Sequence, residues 1–203
     1  MLSLFILAIQ LSFMISDSSG QYLVRAARAV MQEYLRHNKI SNPEKYPPDL
    51  NELGGVVVEV YKKLPGMQKE IRASGADLNF NKSVAHACAE AARAACSDKR
   101  FGTIELQELP VTSFHVHVFD GQPRQVMGKT ITDYGRIITA GRDGLIMRKG
   151  ASTGILMPHL ILQNKWSVKE ALENLSLKTG LDKDGWTNPS ARIFSFRTQI
   201  FKE

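Results

Sequence analysis

Cysteine is scarce: Cys88 and Cys96 are the only two in 203 residues. They stand eight apart in an alanine-rich segment that reads as one helix. Eight helical residues rise about 12 Å, too far for a disulfide. No Cys or His run shows metal-ligand spacing, so neither a metal nor a cofactor is expected. This usage fits a reducing compartment, and a cytoplasmic chain is expected. Long apolar runs are also missing. The opening MLSLFILAIQLSFM falls short of the ~20 apolar residues that span a bilayer. No Lys or Arg precedes Arg25 and no A-x-A pattern follows, so it does not read as a signal peptide. Residues 1–13 are expected to be an upstream extension, with Met14 as the true start, or else a targeting-like segment. The short signatures H-E-x-x-H and C-x-x-C are absent, which lowers the weight of the enzyme classes that carry them.

What is present is an ordinary globular composition, 43% hydrophobic and 23% charged. A chain of this length can bury its core without staples. The net charge is +6 and the pI about 9.4, which hints at anionic partners. Lys and Arg are scattered, however, apart from pairs such as Lys62-Lys63 and Arg148-Lys149. Nucleic-acid binding needs charge clustered on one face, so a solvated basic surface is the expectation.

Periodicity predicts a helix from Asp17, capped by Asp17 or Ser18, with Leu23, Ala27, Val30 and Met31 on its apolar stripe. Prolines 43, 47 and 48 end it. GGVVVEVY (54–61) reads as a strand, Pro65-Gly66 as a turn, and 67–80 as a short strand followed by a loop. NKSVAHACAEAARAAC (81–96) reads as a helix capped by Asn81 or Ser83, its alanines allowing close approach to a sheet. VTSFHVHVF (111–119) alternates and reads as a half-buried strand. Residues 136–158 read as three strands, with Asp143-Gly144 as a hairpin turn and 150–154 as a second loop. SVKEALENLSLKTGL is a helix with a Ser167/Glu170 capping box and Gly180 just past its end. ARIFSFRTQIF (191–201) reads as one strand. Irregular order and frequent hairpins argue an α+β fold on an antiparallel sheet.

GRDGLIMRKGASTG (141–154) invites comparison with a phosphate loop. Such a loop needs strand, glycines, then a helix N-terminus. Here KGASTG leads into Ile155-Leu156-Met157, another strand, so the glycines are expected to serve turns, with positive φ at Gly144 and at Gly150 or Gly154. His115 and His117 share one face of their strand, where imidazoles can bind a metal. Phe114, Val116 and Val118 take the core side, so the histidines read as a surface pair without a third ligand. His86 and Glu90 read as a local i, i+4 pair. Cys88 reads as buried and inert, and His159 as exposed at a strand end.

SDKRF with ELQELP, then GRDGLIMRKG, TGILMP and KTGLDKDGW, occur in an order that resembles the AMMECR domain family. The resemblance covers Ser18 to Glu203 and is strongest from Asp98 onward; LVRAARAVMQEYL and GGVVVEV also fit. It implies an α+β fold of two subdomains over 14–203, the larger an antiparallel sheet flanked by helices, the second a smaller α+β unit. The family's molecular activity is unestablished, and some members accompany Memo-like and radical-SAM proteins. The chain departs from the family at a leucine-arginine-glycine-cysteine-isoleucine-glycine run. The matching region here is EIRASGADLNF: Ile71, Arg72 and Gly75 match, one residue is missing, and Ser74 falls near the cysteine. Serine without an activating base is a far weaker nucleophile.

Two readings follow. One is a binding or regulatory module without turnover, taking a protein partner or a small anionic ligand. The other is an enzyme on a small anionic metabolite or nucleotide-like ligand, motivated by Arg72, Arg148 and Lys149. The candidate ligand-binding residues are Arg72, Ser74, Gly75, Arg148 and Lys149. Convergence of the three cations on one pocket favours a ligand; dispersal favours a partner surface. Nucleic-acid binding is a third reading, which the scattered charge argues against.

Overall fold

The computed structural model describes residues 14–39, 43–63, 70–128 and 130–203. Its elements are α1 (Asp17–His37), β1 (Val56–Lys62), β2 (Glu70–Asp77), α2 (Val84–Cys96), β3 (Thr112–Phe119), β4 (Arg124–Val126), α3 (Ile131–Ile137), β5 (Gly144–Lys149), β6 (Ser152–Leu156), α4 (Pro158–Gln163), α5 (Val168–Lys178), β7 (Arg192–Phe196) and β8 (Thr198–Lys202). The strands form two antiparallel sheets, ordered β2-β1-β3-β8 and β4-β7-β5-β6. The fold is therefore α+β, with antiparallel sheets flanked by helices. The segment 1–13 and the Pro65-Gly66 turn lie outside the described residues. Among those described, no helix is long and apolar enough to cross a membrane.

Local signals explain the helices. Ser16, one residue before the expected caps, caps α1 by accepting from the Ser19 amide, and Asn38 in the left-handed region ends it. Ser83 caps α2, and the buried alanines of α2 let β2 lie close beneath it. A Cβ at Gly75 would stand 2.1 Å from the Ala91 carbonyl oxygen and 2.3 Å from the Ala95 nitrogen, so only glycine fits there. The capping box of α5 forms as expected. Gly180, at φ 79°, closes a Schellman motif in which Leu181 N–H reaches Ser176 O and Gly180 N–H reaches Leu177 O.

One face of the first sheet, with Val56, Val58, Val60, Ala73, Phe114, Val116 and Val118, packs under α1 and α2. The second sheet has its own core of Leu145, Met147, Leu156, Ile161, Leu172, Leu175 and Ile193. Between the sheets lies a third cluster, Val57 and Phe119 against Ile146, Met157 and Phe196. This seam covers the second face of the first sheet.

Five expectations need correction. Residues 136–158 hold two strands, not three: Arg136 belongs to α3, whose Thr130/Asp133 capping box starts the helix. Asp143-Gly144 is no hairpin turn; Asp143 accepts from the Thr139 amide at 2.8 Å, and Gly144 opens β5. Gly144 also has no positive φ; it is bare because the Phe196 ring lies against it, 2.3 Å from where a Cβ would stand. The hairpin is β5–β6, turned at Gly150 with φ 57°. ARIFSFRTQIF is two strands, β7 in the second sheet and β8 in the first, so the chain crosses between sheets at Arg197. Residues 70–77 form a full eight-residue strand rather than a short strand and loop.

Candidate functional site

Strand register places one polar row across the seam face of the first sheet. Ser74 of β2 lies opposite Glu59 of β1, Glu59 opposite His115 of β3, and His115 opposite Lys202 of β8. Directly opposed residues project from the same face. His117, two residues beyond His115, shares that face, as does Tyr61, two beyond Glu59. The second sheet contributes His159: Pro158 occupies the first turn of α4, where its missing N–H costs nothing, and sets His159 facing the row.

These side chains converge on one carboxylate oxygen. Tyr61 donates to Glu59 Oε2 at 2.7 Å, and His117 Nε2 lies 2.9 Å from the same atom. His159 Nε2 stands 3.4 Å from it and 3.3 Å from the Tyr61 hydroxyl. The His117 and His159 rings stack at 5.0 Å, and the Tyr61 and His115 rings approach to 4.4 Å. Glu59 is 3% exposed, His117 1% and His115 8%, so the expected surface pair is instead buried. The alternation of β3 was read correctly, but its second face is covered by the second sheet. The missing third ligand is also present: one ligand atom each from Glu59, His115 and His117 lie within 4.8 Å of one another. His159, expected to be exposed, is tucked into this cluster with a side chain 16% exposed.

Electrostatics hold Glu59 ionised. Burial alone would raise its pKa, but the His117 hydrogen bond, the His117 and His159 charges and the Tyr61 hydroxyl pull it down to about 2. Burial, and then the Glu59 charge, push the Tyr61 phenol upward. Burial lowers His159, with Glu59 opposing and His117 reinforcing that shift. The Nε2 atom of His117 faces the ionised carboxylate, which turns Nδ1 to the far side of the ring. The Nδ1 atoms of His117 and His159 are buried and find no hydrogen-bond partner among the described residues.

Cations border the row. The Ser74 amide donates to Asp98 Oδ2 at 2.9 Å, and Asp98 holds Arg100 through contacts of 2.7 and 2.9 Å. Lys178, at the end of α5, places Nζ 3.5 Å from the Ile155 carbonyl. Desolvation, and then the like charge of Arg100, lower the Lys178 pKa, while Glu59 acts the other way. Lys202 ends the row beside His115.

The residues singled out in the sequence do not converge. Arg72 is 11% exposed and fully engaged: it forks onto Glu108 at 2.6 and 2.7 Å and donates to the carbonyls of Phe101, Gly102 and Thr103. Gly75 lies under α2 on the opposite face from the row. Arg148 stands over the Phe194 ring, 5.3 Å from its centroid, and Lys149 sits at the β5–β6 turn. Ser74 alone belongs to the row. His86 bonds Ser83 Oγ at 2.7 Å, while Glu90 pairs with Lys82 and Arg93, so His86 and Glu90 are not a pair. Cys88 and Cys96 are free and buried, their thiols pushed up to about 12 by burial. Glu59, Tyr61, Arg100, Lys178 and Lys202 escaped the sequence reading. Glu59 carried a signal: a lone acid inside GGVVVEV is a charge on a strand with no wet side to spare.

Comparison with known proteins agrees with this fold. The AMMECR1 family model matches residues 24–201. A protein from Thermococcus gammatolerans is 33% identical over 94% of this chain and 93% of its own length. One from Pyrobaculum arsenaticum is 30% identical over 91% and 86%. The crystal structure of the uncharacterized protein PH0010 from Pyrococcus horikoshii superposes with a TM-score of 0.84 at 31% identity, covering 93% of both chains. Family model, relatives and fold agree: the chain belongs to the AMMECR1 family.

Proposed function

We propose that this chain is a binding module that holds a small oxyanion, carboxylate or phosphate, at the open end of the seam row and does not turn it over by covalent catalysis. One observation carries the reading: Arg100, Lys178 and Lys202 are drawn to a single row. Arg100 acts on Lys178, and Glu59 acts on both. Lys178 and Lys202 both act on His159. Glu59 is held by His117 and Tyr61 and Arg100 by Asp98, so Lys178 and Lys202 carry most of the charge a ligand would meet, and the Ser74 hydroxyl lies on the same face. Guanidinium and ammonium groups bind oxyanions through charge-assisted hydrogen bonds.

The covalent alternative has weaker support. Ser74 faces Glu59 across the row, but a carboxylate held near 2 is a poor general base at neutral pH. The two thiols are buried and protonated.

Calorimetric titration with inorganic phosphate and with short mono- and dicarboxylates tests this reading. Binding is expected for at least one of them, to weaken about tenfold, or 1.4 kcal/mol, in Lys178→Ala and in Arg100→Ala, and to fall with added salt. Equal binding by the Arg100→Ala/Lys178→Ala double variant would remove the site from the seam, as would failure of every anion to bind at millimolar concentration.

A further inference from the structure

The row's buried end has chemistry that an oxyanion does not use. Five histidines occur in the chain, and three of them, His115, His117 and His159, gather around Glu59. An ionisable cluster between two sheets is costly: replacing a buried ion pair with apolar residues is often neutral or stabilising. The cluster is also incompletely satisfied, since the Nδ1 of His117, a residue 1% exposed, has no hydrogen-bond partner among the described residues. Buried polar atoms are nearly always paired, so this orphan adds to the cost of keeping the cluster.

We propose that Glu59, His115 and His117 bind one divalent d-block cation, with His159 closing the site from the second sheet as fourth ligand. The spacing fits. Ligands about 2.1 Å from a common cation lie about 3.0 Å apart at octahedral angles and about 3.4 Å apart at tetrahedral ones. His117 and His159 Nε2 stand 2.9 and 3.4 Å from Glu59 Oε2, close to that range, and the His115 ligand atom, within 4.8 Å of those of Glu59 and His117, draws in on binding. The donor set selects the metal class. Imidazole nitrogens with one carboxylate suit zinc, iron or nickel, whereas calcium and magnesium take oxygen donors. The cation takes the place of the hydrogen bond between Glu59 Oε2 and His117 Nε2. Tyr61 donates to the ligating carboxylate and orients it from behind. Because β1 and β3 supply three ligands and α4 the fourth, the cation ties the two sheets together across the seam.

The inference stands apart from the oxyanion reading, which uses Arg100, Lys178 and Lys202. The test titrates the EDTA-stripped full chain with Zn²⁺ alone, in buffer free of phosphate and carboxylate, so loss of metal binding and loss of anion binding are scored separately. One equivalent is expected to bind, with at least tenfold weaker binding in His117→Ala and in His115→Ala. His37→Ala, altering an exposed histidine of α1, should bind as the unmutated chain does. Less than a tenth of an equivalent bound, or undiminished binding in the His115→Ala/His117→Ala variant, would overturn the site. Should those variants fail to fold, the visible spectrum of the Co²⁺-loaded unmutated chain decides. Intense four- or five-coordinate bands support the site, and the weak six-coordinate spectrum of aqueous Co²⁺ contradicts it.

Discussion

Arginine 72 shows how a residue can look like a ligand and serve as a brace. Its fork on Glu108 and its three carbonyl acceptors tie β2 to the chain between α2 and β3. Arg72→Ala leaves a partly buried carboxylate and three carbonyls without their donor. It is expected to cost about 2–4 kcal/mol in urea denaturation while oxyanion affinity in the folded fraction stays unchanged. Loss of affinity without loss of stability would return Arg72 to the site. Tyr61→Phe makes the converse case. It removes only the hydroxyl behind Glu59, so it is expected to weaken Zn²⁺ binding about 10–100-fold in calorimetry. Sequence reading singled out Arg72 because a cation in a family motif suggests an anion. Nothing in the sequence shows that Glu108, 36 residues on, meets it.

Helices α1, α2 and α5 were legible because their ends are written locally. Ser83 and the Ser167/Glu170 box each act within one turn, and Gly180 supplies the only backbone conformation its position demands. Ser167→Ala should therefore cost about 1 kcal/mol in thermal or urea unfolding. Strand β3 was legible as a strand, but alternation tells which side chains share a face and not what covers it. Both faces of β3 are buried, one by α1 and α2 and one by the second sheet, and that second contact is made by chain that begins, at Ile146, 27 residues beyond Phe119. The helix α4 hid behind Pro158, read as a stop after a strand when it opens a helix. Gly75, matched as a motif residue, is a spacing residue between β2 and α2. Gly75→Ala drives a methyl into the α2 backbone and is expected to cost about 3 kcal/mol or more, read as a lowered melting temperature.

Across the whole molecule, the charge pattern sets the response to acid. Asp49, Glu90, Asp98, Glu108, Asp143, Glu170 and Glu203 all have pKa values held below the ordinary carboxylate range. The His117 contacts do the same for Glu59. For Asp49, Asp98, Asp143 and Glu203 the hydrogen bonds overcome burial, which by itself would raise them. A depressed carboxylate contributes stability above its unfolded pKa and loses it as pH falls through the folded one. Stability should hold from neutral pH down to about 5, then fall steadily below about 4. A flat profile of urea midpoints from pH 6 to pH 3 would contradict the pairing described. The formal charge of +6, spread over the surface in the sequence, is drawn at one place into Arg100, Lys178 and Lys202 beside the seam.

The central claim is that the seam between the sheets is a binding site and not a polar accident of packing. Histidine side-chain nitrogen NMR on the ¹⁵N-labelled chain tests it most directly, because each of the five imidazoles reports separately. Addition of one equivalent of Zn²⁺ is predicted to shift the ring nitrogens of His115 and His117, with His159 following, and to leave His37 and His86 in place. Unmoved seam histidines alongside a shifting His37 or His86 would contradict the account.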